Sequence, residues 1–137
     1  FMSDYNNVSC PAVVVHCMDL RLRMFLSVYF DKRFPEGYDL VSLAGGIKSL
    51  IEDGSINNFE LAQLQLSERL HHPPIIVLVQ HEDCGAYGGS KRFNTSEEEV
   101  EHQRHELRQA VALLKEHLPG GQIETYFIRL SGELIPM

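Results

Sequence analysis

Residues 12–21 read Ala-Val-Val-Val-His-Cys-Met-Asp-Leu-Arg. Three consecutive valines present no polar face, so a strand here must be covered on both sides, as strands of a parallel sheet are. The apolar run stops at Cys17, a carboxylate follows at Asp19 and a guanidinium at Arg21. Outward from this stretch, short apolar runs alternate with helical patterns. Strands are expected over residues 12–16, 38–43, 75–80 and 123–130. A helix is expected over 20–30, broken by Phe34-Pro35-Glu36-Gly37. Another is expected over 55–70, with Phe59, Ala62, Leu66 and Leu70 as its apolar stripe, ended by Pro73-Pro74. The third follows a capping box of Ser96 and Glu99, buries a face of Val100, Leu107, Val111, Leu114 and Leu118, and stops at Gly120-Gly121. The order β-α-β-α-β-α-β implies an α/β, three-layer architecture with a mainly parallel sheet, right-handed crossovers and helices on both faces. In such sheets ligands sit beyond the carboxyl ends of the strands.

The bulk properties narrow the classes. The 137 residues suffice for one domain, 1–137, with a real core. A net charge of −7 argues against a nucleic-acid partner. No apolar run approaches the ~18 residues of a membrane span. The start shows no basic segment leading into an apolar one, so no signal peptide is expected. Three cysteines are too few and too odd for a disulfide framework, which leaves reduced thiols in the cytoplasm or metal ligands.

The first strand ends in Cys17 and the third in His81-Glu82-Asp83-Cys84-Gly85. In a parallel sheet both ends lie at one edge. If the two strands are neighbours, Cys17, His81 and Cys84 converge. Two thiolates and an imidazole favour zinc over magnesium or calcium, and three protein ligands leave a fourth position for water or substrate. Asp19 beside such a centre would itself become the fourth ligand unless held away, and Arg21 can hold a carboxylate bidentately. Plainer readings stand beside these. Cys17 alone is a small buried hydrophobe, His81 a loop histidine, and Asp19 an acid at a helix N-terminus.

Cys-x-Asp-x-Arg after a first strand, Ala-Gly after a second and His-x-x-Cys-Gly after a third resemble the β-class carbonic anhydrases. The resemblance runs from about Pro11 to Gly132. It implies a four-stranded sheet of order 2-1-3-4, which puts the first and third strands side by side. It implies zinc (Zn2+) on Cys17, His81 and Cys84, with Asp19 and Arg21 as a catalytic dyad. The implied reaction is reversible hydration of carbon dioxide to bicarbonate, in a homodimer. This chain departs from the family at Leu20, where serine is usual. It also carries Ser42-Leu43-Ala44-Gly45-Gly46 in place of Arg-Asn-Ala-Gly-Asn, and no glutamine precedes Cys17. The alternatives are a zinc hydrolase for carbonyl sulfide or carbon disulfide, or a silent zinc-binding homologue with Asp19 as fourth ligand. A metal-free thiol enzyme lacks an evident group to activate Cys17 or Cys84.

Other residues receive plainer assignments. His16 is expected to be a packed, hydrogen-bonded histidine and Cys10 a spare thiol. His102 and His105 are assigned to a solvated helix face. The run Glu97-Glu98-Glu99 suits a positive helix N-terminus and needs no functional role. Tyr87-Gly88-Gly89 is expected to be a mobile loop near the site. Leu61 and Leu64 are read as a second buried face or a dimer contact.

Overall fold

The computed structural model describes residues 8–52 and 58–137. Strand β1 is Ala12–His16, and a 3₁₀ turn at Leu20–Leu22 leads into α1, Arg23–Arg33. Strand β2 (Asp39–Ser42), helix α2 (Lys48–Glu52), helix α3 (Phe59–His71) and strand β3 (Ile75–His81) follow. Then come α4 (Ser96–His117), β4 (Gln122–Ile128) and β5 (Leu134–Pro136). No described helix is long and apolar enough to cross a membrane.

The sheet has the order β2-β1-β3-β4-β5. The first four strands are parallel and keep the expected order 2-1-3-4, with His16 opposite Val79 across β1 and β3. The expected four-stranded sheet gains a fifth strand. β5 returns antiparallel along β4, pairing Phe127 with Ile135, after a turn closed by Gly132 N–H on the Arg129 carbonyl. Its three residues end in proline, which cannot donate to a ladder and is tolerated at a sheet edge. So short a segment carries no period that a sequence reading can detect.

Both faces of the sheet are covered, which is why β1 is apolar throughout. Val13, Val15, Ile76 and Leu78 face α2, α3 and α4 through Ile47, Leu50, Leu61, Leu64, Leu107 and Leu114. Ala12, Val14, Val77 and Val79 face α1 through Leu22, Leu26 and Phe30.

Two helical faces differ from expectation. The start expected for the second helix at Ser55 lies outside the described residues. Within α3, Phe59 is 68% exposed and Leu66 and Ala62 are exposed too, while Leu61 and Leu64 are buried. The cap explains the rotation. Asn58 Oδ1 accepts the Leu61 N–H, and its Nδ2 donates to the carbonyls of Ser49 and Leu50, pinning the helix start against α2. Leu61 and Leu64 are therefore core residues. In α4 the N-cap is Thr95, not Ser96. Thr95 Oγ1 accepts the Glu98 N–H and Glu98 accepts the Asn94 N–H. The fully buried residues are Glu99, Gln103, Leu107, Ala110 and Leu114, which adds two polar residues to the expected face; Val111 and Leu118 pack half-buried against the same core, and Val100 is half-buried.

Candidate metal centre

Parallel neighbours β1 and β3 end at the same edge, and β2 brings the 43–47 loop to it. Met18 N–H donates to the Leu43 carbonyl and Leu43 N–H to that of His16, so the loop lies across the end of β1. Cys17 Sγ, Cys84 Sγ and a ring nitrogen of His81 lie within 4.8 Å of one another, and all three residues are buried. Zinc with sulfur ligands at about 2.3 Å and nitrogen at about 2.0–2.1 Å needs ligand atoms somewhat closer than that, a small adjustment for two side chains just past strand ends and one at the last strand residue.

His81 supplies the clearest test of fit. Its Nδ1 donates to the Glu82 carbonyl at 2.6 Å, which leaves Nε2 as the atom with a free lone pair. Nε2 is buried and has no hydrogen-bond partner among the described residues. A buried imidazole nitrogen fixed in this tautomer and aimed at two sulfurs suits a soft or borderline cation. The sulfurs agree. Contact with the Cys84 thiol pulls the Cys17 thiol well below its ordinary value. The same contact, with burial, pushes Cys84 up. The pair thus holds one negative charge where a cation would draw out both protons. Burial opposes protonation of His81, but the Cys17 thiolate beside it more than offsets this and raises its pKa.

Asp19 caps the turn at Leu20–Leu22, accepting the Arg21 N–H at 2.9 Å. The Arg21 guanidinium then takes both carboxylate oxygens, Nε to Oδ1 at 3.0 Å and Nη2 to Oδ2 at 2.6 Å. These bonds hold the Asp19 carboxyl down at about 2. Asp19 Oδ2 is 3.9 Å from His81 Nε2, so the carboxylate borders the cluster without joining it. Arg21 is also gripped from the other side. Nη1 donates to Asp83 Oδ2 and Nη2 to the Asp83 carbonyl, both at 2.9 Å.

A family model described as "Putative carbonic anhydrase" matches residues 8–136. An uncharacterised protein of Rickettsia conorii is 27% identical over 126 residues, 88% of this chain and 68% of that protein. Among solved structures, β-carbonic anhydrase isoform I of Trichomonas vaginalis superposes with a TM-score of 0.66 at 18% identity, covering 99% of this chain and 87% of that one. The apo form of a carbon disulfide hydrolase gives 0.57 at 18%, covering 93% and 79%. The chain is a divergent member of the β-class carbonic anhydrase family.

Several residues of this carbonic anhydrase relative carry more than the sequence suggested. Asp83, between the two expected ligands of the third strand end, adopts a left-handed φ of 59° and pairs with Arg21. Glu99, read as a capping-box partner in an acidic run at a helix N-terminus, is buried and accepts the Asp83 N–H and the Ser90 hydroxyl, both at 2.8 Å. Its signal was present, since Glu99, Gln103 and Leu107 recur every four residues. Gln80 and Gln103 form a buried amide pair behind the site. The 85–89 segment is not an open loop. Tyr87 is buried, and the N–H groups of Tyr87 and Gly89 return to the Cys84 carbonyl. His16 is packed as expected, its Nδ1 bonded to the Cys17 carbonyl. His102 is half-buried between the rings of Tyr87 and Phe93 rather than solvated, whereas His105 is exposed. Cys10 lies apart from the cluster, its thiol donating to the Ala12 carbonyl.

Proposed function

We propose that Cys17, His81 and Cys84 hold a zinc ion and that the chain catalyses reversible hydration of carbon dioxide to bicarbonate. The observation that carries this reading is the buried Nε2 of His81, facing two sulfurs with no hydrogen-bond partner among the described residues, beside a carboxylate restrained by Arg21. Bound there, zinc would lower the pKa of water towards about 7 and so supply the hydroxide nucleophile at neutral pH.

The chain's own residues do the rest. Asp19, with its carboxyl at about 2, is ionised at any working pH and only accepts hydrogen bonds. Oδ1 is filled by the Arg21 backbone N–H and Nε, whereas Oδ2, taken by Nη2 and nearer His81, is the oxygen that can accept a further donor. Asp19 would accept a hydrogen bond from the attacking oxygen and so turn that oxygen's lone pair towards the carbon of carbon dioxide. Arg21, clamped by Asp83, would keep the carboxylate from swinging onto a metal held by Cys17, His81 and Cys84. That restraint supports the catalytic reading over a silent centre closed by Asp19. The likeness to a carbon disulfide hydrolase, with Leu20 82% exposed beside Asp19, favours carbon disulfide or carbonyl sulfide as the second reading. Three unpaired cysteines fit a reducing compartment such as the cytoplasm.

Stopped-flow assay of the zinc-replete protein from about pH 6.5 to about 9 tests this. Carbon dioxide hydration should rise with pH around an apparent pKa near about 7. Asp19→Asn should lose about 10- to 100-fold in kcat. Undiminished activity in Asp19→Asn would remove Asp19 from the mechanism. A zinc-loaded protein inert to carbon dioxide but active on carbon disulfide would install the second reading.

A further inference from the structure

Behind Cys17 the 43–47 loop is held by a side chain that the proposed chemistry does not use. Gln80 is the penultimate residue of β3 and is 2% exposed. Its strand neighbours on that face, Ile76 and Leu78, are core residues facing α2 and α4. Its amide reaches three separate segments. Oε1 accepts the Ile47 N–H at 3.1 Å, and Nε2 donates to the Gly45 carbonyl at 3.0 Å. Nε2 also donates to Gln103 Oε1 at 3.0 Å and approaches the Tyr87 hydroxyl at 3.4 Å. A backbone N–H on one side and a backbone carbonyl on the other admit one orientation of the amide, so its direction is fixed by its partners.

The loop is shaped around this side chain. Gly46 has φ of +60°, and a Cβ there would lie 2.3 Å from Gln80 Oε1. The position where the family's stretch has asparagine is here a glycine, and the amide occupying the space comes from β3, two strands away from β2 in the sheet. The loop so held presents one group to the cluster. Gly45 N–H points at Cys17 Sγ with a separation of 3.4 Å.

We propose that Gln80 is a positioning residue for the metal centre. By clamping the Gly45 carbonyl and the Ile47 N–H it aims the Gly45 N–H at the Cys17 sulfur, and so sets the donor strength and orientation of that thiolate. This rests on the reading of Cys17, His81 and Cys84 as metal ligands. A hydrogen bond to a thiolate lone pair lowers its energy, so losing the bond makes the sulfur easier to oxidise. Charge transfer from sulfur to a bound metal then needs less energy. Groups that orient ligands in this way typically govern metal affinity as well.

Cobalt(II) is the probe, because its thiolate charge-transfer band in the near ultraviolet reports on the sulfur directly. Gln80→Met keeps the volume and removes the amide. Its cobalt band should move to lower energy, and its cobalt affinity, measured against a chromophoric chelator, should fall about 10- to 100-fold. Gln80→Glu keeps the acceptor for Ile47 and loses the donor to Gly45. It should shift the band in the same direction and serves in place of Gln80→Met should that variant fail to fold. Gln103→Met perturbs the amide network but leaves both loop contacts of Gln80, and its band should stay in place. An unmoved band in a folded Gln80 variant overturns the proposal, as does an equal shift in Gln103→Met. Failure of the wild-type chain to take up cobalt with a thiolate band would instead remove the metal-centre reading beneath it.

Discussion

Hydrogen bonds from Arg21 decide the charge of Asp19, and that charge has a consequence for stability. The Asp19 carboxyl sits at about 2 in the fold, below the ordinary carboxylate value of about 3.9. A depressed acid stabilises the folded state above its ordinary pKa and loses that contribution as pH falls through the folded value. Unfolding of wild type and Asp19→Asn should therefore differ by a constant amount from about pH 5 to about 8. The gap should close as pH falls from about 4 towards about 2. A gap that closed near neutrality would mean that Arg21 does not hold the carboxylate. Cys17, Asp19, Arg21, His81 and Cys84 were legible in the sequence because each stands just past an apolar run. Gln80 and Glu99 were not, because their partners are backbone groups of other elements, and no local pattern reveals a contact between β3 and the 43–47 loop.

Helix α3 carries a burden that its pattern concealed. Glu60, in its first turn, is 1% exposed with no hydrogen-bond partner for either oxygen among the described residues. Burial pushes its carboxyl up to about 8. Between the ordinary value near about 4.3 and about 8, the folded chain keeps a proton that the unfolded chain releases, so stability falls as pH rises. The slope from this group approaches about 1.4 kcal/mol per pH unit. Glu60→Gln cannot ionise, so denaturant unfolding should show it gaining on wild type between about pH 6 and about 8. Parallel stability curves would contradict the assignment. The same helix shows why strands were easier to read than helical faces. Three valines leave a strand no choice of side, whereas α3 has apolar residues all round, and the Asn58 cap on α2 selects the face. The β1 boundaries follow from composition alone, while the α3 rotation needs a tertiary contact that lies outside its own sequence.

For the whole molecule, the exposed apolar surface matters most. Leu20, Met24 and Val28 recur every fourth residue along the 3₁₀ turn and α1, and they are 82%, 76% and 65% exposed. This stripe begins one residue from Asp19. An apolar stripe this exposed is uncommon on a monomer's surface, and we propose it as the contact of a homodimer. Sedimentation should show a dimer that Met24→Glu with Val28→Glu converts to monomer, and a wild type monomeric at all concentrations would contradict this. The fold was readable because four parallel strands repeat one local rule, and the edge strand β5 escaped because three residues ending in proline obey none. The zinc centre is the claim on which the rest depends. Zinc K-edge absorption on the purified, zinc-replete chain should show about one zinc with two sulfurs at about 2.3 Å and two light atoms at about 2.0–2.1 Å. Cys17→Ser should leave one sulfur. A chain that retains no zinc, or zinc without a sulfur shell, would contradict the account.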